Sequence, residues 1–227
     1  MRPTRAGLAG GAIYVVLGLI WVVGFHPPGS PWAYVAWLVI VAIAACFVPG
    51  AANQVSMARA YLAAPGFAYS GPSSLGLLAV VVALAGLTDL VDGTIARRFD
   101  RPSKLGGGLD PVVDGIFLGA VAIGLANGGA FPVWLAVVVI ARYFLPALVG
   151  GVLLARGQTP ELRHTLAGQI STALILVLLG GIALFRFLGQ DATNVVVGAE
   201  IVIPIATVAT FIHLGIARNR GTGVDSA

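Results

Sequence analysis

Four aspartates stand in two closely spaced pairs in a chain that contains few charged residues. Asp89 and Asp92 are three positions apart, and Asp110 and Asp114 are four positions apart. On a helix, both spacings place the two carboxylates of a pair on the same face. Two successive antiparallel helices can therefore direct four carboxylates at one shared point.

Convergent carboxylates repel one another unless a cation or a proton lies between them. Hard divalent cations with oxygen ligands, such as Mg²⁺ or Mn²⁺, compensate the charge of such a cluster. A zinc site is not indicated, because Cys46 is the only cysteine and His26, His164 and His213 are far apart in the sequence. The pattern therefore predicts a site for Mg²⁺ or Mn²⁺.

Small residues and an arginine accompany the acids. Gly93 and Ala96 would share the helix face of the first aspartate pair, which allows a bulky ligand to approach closely. Arg97 ends that face, and its planar donors suit a phosphate. Gly106 and Gly108 belong to a glycine triplet that opens the next helix, where free backbone N–H groups can also bind an anion. Carboxylates, metal ions and phosphate donors together describe a pyrophosphate site.

The elements that must position these residues are membrane helices. Of 227 residues, 58% are hydrophobic and 10% are charged, whereas soluble domains have about 45–50% and about 25%. Apolar runs near the length of about 20 residues that a bilayer-spanning helix needs alternate with turns rich in Gly and Pro. These runs cover roughly 8–24, 33–49, 53–69, 73–96, 105–127, 132–155, 165–186 and 194–217. The predicted fold is all-α, a polytopic integral membrane helical bundle.

The basic residues predict the orientation of this bundle. The segments between successive predicted spans lie alternately on the two sides of the membrane. The segments of one side contain all the arginines and lysines found between the spans and at the termini except Arg186. Both termini are therefore expected to face the cytoplasm in a multi-pass protein of the cell membrane. Arg59 is counted on that side. The third run has polar first turns and is expected to begin as an interfacial helix. The dispersed basic residues form no face that could follow a nucleic acid, so no nucleic-acid partner is expected.

Two other interpretations of the acids are open. The carboxylates could neutralise Arg97, Arg98, Arg101 and Lys104 at the membrane surface. The chain could alternatively be an ion or proton carrier, which also uses buried acids. The cost of charge within a membrane favours a functional role over surface pairing. A carrier would explain the carboxylates but not the glycines and the arginine at fixed distances from them.

Residues 89–114 read DLVDGTIARRFDRPSKLGGGLDPVVD, and this segment resembles the signature of the CDP-alcohol phosphotransferases, membrane enzymes of phospholipid synthesis. Upstream, NQVSMAR at 53–59 is similar to the Asn-x-x-Thr-x-x-Arg segment that starts the family's first core helix, with Ser56 in place of threonine. The resemblance covers 50–217 and implies six core spans. Residues 1–49 would form two additional spans of unknown role, and 218–227 a cytoplasmic tail.

The resemblance also implies roles for the signature positions. Two divalent ions would be bound by Asp89, Asp92, Asp110 and Asp114, with Asp114 also acting as the general base. The cytidine nucleotide would contact Asn53, Ser56, Gly93, Ala96, Arg97 and Gly106. The implied reaction transfers a phosphatidyl group from CDP-diacylglycerol, held among membrane lipids, to an alcohol with release of CMP. The family resemblance further implies a homodimer.

The acceptor alcohol is predicted from the later helices. Relatives with phosphorylated acceptors bind the acceptor's phosphate through basic residues there, and Arg142, Arg163 and His164 are the candidates. Pairing of Arg142 with a buried acid such as Glu200 is the structural alternative. Gln169 stands where many phosphatidylglycerophosphate synthases have a lysine. Glycerol 3-phosphate, inositol phosphate and phosphatidylglycerol all stay open as acceptors, and so does the reverse chemistry, with a CDP-linked small alcohol as donor to diacylglycerol.

Overall fold

The computed structural model describes residues 3–99, 104–155 and 166–221, which form helices and short turns without a strand among them. Each predicted apolar run corresponds to one helix, and a π-helical turn over Ile20–Gly24 extends the first. The helices are α1 Arg5–Leu19, α2 Pro31–Phe47, α3 Ala51–Ala68, α4 Leu75–Phe99, α5 Lys104–Asn127, α6 Val133–Ala155, α7 Leu166–Phe187 and α8 Thr193–Gly221. The predicted all-α fold is confirmed.

Four of the described helices are long and apolar enough to cross a membrane, within α1 with its π-helical turn, α5, α7 and α8. Shorter apolar stretches occupy α2 and parts of α4 and α6. Large apolar side chains such as Trp32, Val133 and Ile205 are exposed on the outside of the bundle. Such extensive apolar surface belongs in lipid rather than in water. The protein is therefore a polytopic membrane protein, and eight spans stay a prediction.

Helix α3 lies at the centre of the bundle, where it packs against α1, α2, α4 and α5. Eleven of its 18 residues are buried, and most of them are small. That this helix begins at the membrane interface stays a prediction, but its place at the centre of the bundle was not predicted. Its polar residues Ser56 and Arg59 are buried in the protein, where Ser56 donates to the Ala52 carbonyl of its own helix and Arg59 donates to carboxylates of neighbouring helices.

The hairpin of α1 and α2 is fastened to α3 by close backbone approach and by hydrogen bonds. A Cβ atom at Gly7 would lie 2.3 Å from the carbonyl oxygen of Cys46, so only glycine fits there. The Gln54 side chain at the start of α3 donates to two carbonyls at the end of α2, at 2.9 and 2.6 Å. The Tyr14 hydroxyl donates to the Gln54 carbonyl, and the Tyr14 ring stacks on Tyr61 at 5.5 Å.

The remaining helices surround the other side of α3. Helix α5 packs against α3 and α6, α4 packs against α3 and α7, and α8 packs against α6 and α7. Fully buried apolar side chains such as Phe117 and Leu118 of α5 and Ile175 and Leu179 of α7 fill the space between them. This arrangement brings the middle of α3 to the acidic parts of α4 and α5.

Candidate active site

Arg59 lies where three helices converge, and its guanidinium is the point at which three of the four signature carboxylates meet. Its Nη1 atom is 2.7 Å from Asp89 Oδ1 and 2.5 Å from Asp114 Oδ1, and its Nη2 atom is 3.5 Å from Asp110 Oδ1. The arginine is 2% exposed. Helix α3 thus supplies the cation, α4 supplies one carboxylate and α5 supplies two.

The three carboxylates differ in their access to ligands. The side chain of Asp89 is 62% exposed, that of Asp110 is 33% exposed and that of Asp114 is 14% exposed. The cluster therefore runs from an open mouth on α4 to a sheltered inner end on α5. A phosphate or a metal ion can reach the mouth, whereas a proton acceptor at the inner end is shielded from bulk solvent.

Other signature positions have known places in the helices but no described side chains. Asp92 follows Asp89 by one turn on α4. The same helix carries Gly93, Ala96 and Arg97, and Gly106 lies in the first turn of α5. Arg163 and His164, predicted to bind the acceptor, lie outside the described residues.

Asn53 and Ser56, predicted to contact the nucleotide, lie one turn apart at the start of α3. The Asn53 side-chain amide donates to the Pro49 carbonyl at 2.7 Å. The Ser56 hydroxyl is buried and donates to the Ala52 carbonyl at 3.3 Å. Both hydrogen bonds are local to α3 and the turn before it, and they place the two side chains on the segment that leads to Arg59.

The donor set fits a hard divalent cation in its chemistry. The converging groups of Asp89, Asp110 and Asp114 are all carboxylate oxygens, the ligand type that Mg²⁺ and Mn²⁺ prefer. Among the described side chains, no three His, Cys, Asp or Glu residues form a metal-binding group by themselves. Arg59 supplies the positive charge that these carboxylates share here, and Asp92 is the signature acid that would complete the set.

The distribution of basic residues predicts a place for Arg59 at the membrane surface, whereas the structure places its side chain in the carboxylate cluster. Two signals could have found it. An arginine two turns inside a membrane helix requires a buried partner, and the four aspartates were the acids in need of a cation. Its position at the end of the NQVSMAR segment pointed in the same direction.

A second buried arginine, Arg142 in the middle of α6, has a different environment. Its Nη1 donates to the Ala206 carbonyl at 2.8 Å and to the Thr210 hydroxyl at 2.9 Å, and its Nη2 donates to the Ser171 hydroxyl. The proposed alternative of an ion pair with Glu200 is wrong, because Glu200 precedes Ala206 by six residues, or about 9 Å along α8. The described partners of Arg142 are all neutral.

Tyr143 connects the two arginine environments. A Cβ atom at Gly115 would lie 2.5 Å from the Cβ atom of Tyr143, so the ring of Tyr143 packs directly against the residue that follows Asp114. Its hydroxyl donates to the Thr172 hydroxyl at 3.1 Å. The inner end of the carboxylate cluster therefore lies beside the α6 segment that carries Arg142.

Comparison with known proteins places the chain in a family. The sequence model described as CDP-alcohol phosphatidyltransferase matches residues 50–212, beginning directly after α2. A cardiolipin synthase (CMP-forming) of Streptomyces coelicolor is 32% identical over 146 residues, covering 61% of this chain and 66% of the relative. A probable cardiolipin synthase (CMP-forming) of Drosophila melanogaster is 31% identical over 162 residues, covering 62% and 49%.

A third relative is named as a different enzyme. The archaetidylinositol phosphate synthase of Methanothermobacter thermautotrophicus is 31% identical over 90 residues, covering 37% of this chain and 46% of the relative. The chain thus matches between about half and two thirds of the length of these three proteins. The family predicted from the aspartate signature and the prediction of a transferase are both confirmed. The chain belongs to the CDP-alcohol phosphatidyltransferase family.

Proposed function

We propose that this protein transfers the phosphatidyl group of CDP-diacylglycerol to an alcohol and releases CMP. The observation that carries the proposal is the meeting of three signature carboxylates at Arg59, inside a membrane bundle of this family. An ion or proton carrier would have no need of the nucleotide-binding part of the signature. The exposed mouth at Asp89 gives a pyrophosphate access to the cluster.

The chemical step assigns Asp114 the role of general base. The oxygen of the acceptor hydroxyl forms a bond to the phosphorus that carries diacylglycerol, the bond from this phosphorus to the bridging oxygen breaks, and CMP leaves with that oxygen. The proton of the hydroxyl passes to Asp114. Its 14% exposure and its place beside Tyr143 suit an acceptor that arrives from the side of α6.

The nucleotide end of the donor is assigned to α4 and to the start of α3. The groups that would contact it are those of Asn53, Ser56, Gly93, Ala96, Arg97 and Gly106. Mg²⁺ or Mn²⁺, as two ions at Asp89, Asp92, Asp110 and Asp114, would supply charge stabilisation for the pyrophosphate and the leaving CMP. Arg59 holds the carboxylates in position and reduces their mutual repulsion.

Among the three acceptors that the sequence leaves open, we favour phosphatidylglycerol. Several relatives are named cardiolipin synthase (CMP-forming), and joining a phosphatidyl group to phosphatidylglycerol produces cardiolipin. Arg142 has only neutral described partners, so its charge is available for the phosphodiester of this acceptor. Gln169 lacks the cation that a glycerol 3-phosphate enzyme would present. Arg163 and His164 are assigned as further acceptor contacts.

The setting of the reaction is also a proposal. We place the site at the cytoplasmic face of the cell membrane with both termini in the cytoplasm, as the distribution of basic residues predicts. The family resemblance favours a homodimer. Access of cysteine-directed probes to single cysteines introduced near Arg5 and in the turn after α7 would test the orientation, because the two positions should label from opposite sides.

The test of the proposed function is a transfer assay with purified protein in lipid nanodiscs. Labelled CDP-diacylglycerol is supplied with Mg²⁺ or Mn²⁺ and, in separate reactions, with phosphatidylglycerol, glycerol 3-phosphate or inositol phosphate. We expect CMP release and cardiolipin with phosphatidylglycerol, and no CMP release in EDTA. A lipid product with a terminal phosphate, formed in place of cardiolipin, would mean that the acceptor is glycerol 3-phosphate or inositol phosphate. CMP released only from a CDP-linked small alcohol with diacylglycerol would mean that the donor and the acceptor are the reverse of those proposed.

A further inference from the structure

An apolar groove lies between α1 and α4, with α3 as its floor. Within the described part of the chain, α1 and α4 both pack against α3 but not against each other, which leaves the gap open. The groove has a volume of about 280 Å³. Its walls include Tyr14 and Leu17 of α1, Ala58 and Leu62 of α3, and Leu87 and Val91 of α4.

Two of the three hydroxyl-bearing residues in the walls of the groove, Tyr14, Tyr61 and Thr88, donate hydrogen bonds within the protein. The Tyr14 hydroxyl donates to the Gln54 carbonyl, and the Thr88 hydroxyl donates to the Ala85 carbonyl at 2.7 Å. A ligand of this groove is therefore mainly apolar, because seven of the ten wall residues have hydrocarbon side chains and the Tyr14 and Thr88 hydroxyls are already engaged.

The groove ends beside the carboxylate cluster. Thr88 and Val91 line it, and they flank Asp89, whose exposed carboxylate forms the mouth of the site. From Leu84 to Val91 the groove follows α4 for about 10 Å. On α3, Ala58 in the groove is the residue before Arg59. A molecule with its polar head at Asp89 could thus extend a hydrocarbon chain along the groove.

We propose that this groove binds one acyl chain of the CDP-diacylglycerol donor, and that the N-terminal helix α1 is present to form its outer wall. The inference rests on the proposed function. It gives a role to part of the first 49 residues, which lie outside the region that matches the family. The same contacts that fasten Tyr14 to α3 hold this wall in place.

The position of the groove favours the donor over the acceptor lipid. The groove borders α4, which carries the signature from Asp89 to Arg97, whereas the candidate acceptor residue Arg142 lies on α6 and contacts α7 and α8. Helix α1 packs against α2 and α3. Donor and acceptor chains would therefore occupy different sides of the carboxylate cluster, so that both lipids could be bound at the same time.

The groove would act by orientation rather than by hydrophobic affinity. An acyl chain leaves an environment that is as apolar as the groove it enters, so little transfer free energy is gained. Holding the chain along α4 instead keeps the pyrophosphate over Asp89, and misplacement of reacting groups by about 1 Å can cost about 10²-fold in rate. Filling the groove should consequently lower kcat/KM for long-chain donors.

The kinetic test compares Leu87→Trp with Leu77→Trp. Both residues are exposed leucines of α4, at 55% and 50%, but only Leu87 lines the groove. We expect Leu87→Trp to lower kcat/KM for long-chain CDP-diacylglycerol by several-fold to about 10²-fold, with a much smaller loss for a short-chain donor. Leu77→Trp should match the wild type with both donors. Equal behaviour of the two variants would contradict the proposal.

A binding test keeps the inference separate from the proposed function, because it needs no turnover. A photo-crosslinking amino acid replaces Leu17, which lines the groove, or Ile13, an exposed residue of the same helix that does not. We expect labelling by acyl-labelled CDP-diacylglycerol at position 17, competed by unlabelled CDP-diacylglycerol and not by phosphatidylglycerol. If the wild-type protein releases no CMP but this pattern is obtained, the proposed function fails and the groove assignment stands.

Other labelling results would overturn the groove assignment. Equal labelling at positions 13 and 17, reduced by any added phospholipid, would mean that α1 contacts only bulk membrane lipid. Competition by phosphatidylglycerol alone would mean that the groove belongs to the acceptor. Because the crosslinking variants retain the wall residues of α3 and α4, this result does not depend on whether Leu87→Trp folds.

Discussion

Arg59 and Arg142 are both buried arginines in one membrane bundle, but Arg59 has negatively charged partners and Arg142 has neutral ones. Arg59 is surrounded by Asp89, Asp110 and Asp114, so its cation is fully compensated. Arg142 is held by two hydroxyls and a carbonyl, which orient its guanidinium without neutralising it. An uncompensated charge within a membrane is costly and usually marks a functional position.

The comparison separates the site into two halves with different tasks. The α3–α4–α5 half is an acidic cluster with its own internal cation, suited to bind metal ions and to accept a proton. In the α6–α7–α8 half, the Arg142 guanidinium is held by neutral hydrogen-bond acceptors and is suited to bind an anion. Tyr143, packed against Gly115, keeps the halves in contact. The two halves should therefore fail in different ways when mutated.

The largest expected effect is at the inner end of the acidic half. Asp114→Asn retains the shape and one acceptor oxygen but cannot take a proton, so turnover should fall by about 10²–10⁴-fold while CDP-diacylglycerol still binds. The measurements are kcat with both substrates saturating and equilibrium binding of the donor. Asp191→Asn, at an exposed carboxylate before α8, is the matched control and should leave turnover unchanged. Wild-type turnover of Asp114→Asn would remove this residue as the base.

Replacing each arginine by glutamine should lower the free energy of unfolding by different amounts. Arg59→Gln leaves converging carboxylates without their cation, and breaking a buried pair costs about 3–5 kcal/mol. Arg142→Gln leaves only neutral groups unsatisfied, at about 1–3 kcal/mol. Thermal unfolding in detergent should show the larger loss for Arg59→Gln.

Divalent cations sharpen the same measurement. Added Mg²⁺ should raise the Tm of Arg59→Gln, because a ligand that binds the native carboxylates stabilises the fold by mass action. It should raise the Tm of Arg142→Gln no more than that of the wild type. Equal losses for the two variants, with no special response of Arg59→Gln to Mg²⁺, would mean that the two environments do not differ as described.

Steady-state kinetics should identify Arg142 by its effect on KM for the acceptor. Arg142→Gln removes a charged donor to the acceptor's phosphate, worth about 1.5–3 kcal/mol, so KM for phosphatidylglycerol should rise about 10–10²-fold. KM for CDP-diacylglycerol should change little. Arg186→Gln, at an arginine in the last turn of α7, is the control. A similar rise in both KM values would make Arg142 a structural residue rather than an acceptor contact.

The smallest effects should come from substitutions of the neutral residues that accept hydrogen bonds from Arg142. Thr210→Val removes one hydroxyl that accepts from its guanidinium, a loss of about 0.5–1.5 kcal/mol, so KM for phosphatidylglycerol should rise about two- to tenfold. Thr207→Val is the matched control, since the hydroxyl of Thr207 donates to Ile203 on the same helix instead. Indistinguishable kinetics for the two variants would mean that Thr210 does not position Arg142.

Local patterns determined much of this protein. The lengths of the apolar runs correspond to the helices, because a membrane segment must satisfy its backbone within one helix. The segment 89–114, which contains Asp89, Asp92, Asp110 and Asp114, resembles the family signature, and the match of the family model confirms this resemblance. Both inferences use single continuous segments of the chain, such as the 26 residues from 89 to 114, which a sequence displays directly.

Tertiary packing decided the rest. Nothing local to α3 indicates that it is the central helix, and only the helices that surround it bury Ser56 and Arg59. The partners of Arg59 lie 30 to 55 positions away, and those of Arg142 lie 29 to 68 positions away. The groove beside Asp89 exists because α1 and α4 pack on α3 without touching. Such relations depend on which helix faces meet, and the periodicity of a single helix carries no information about its neighbour.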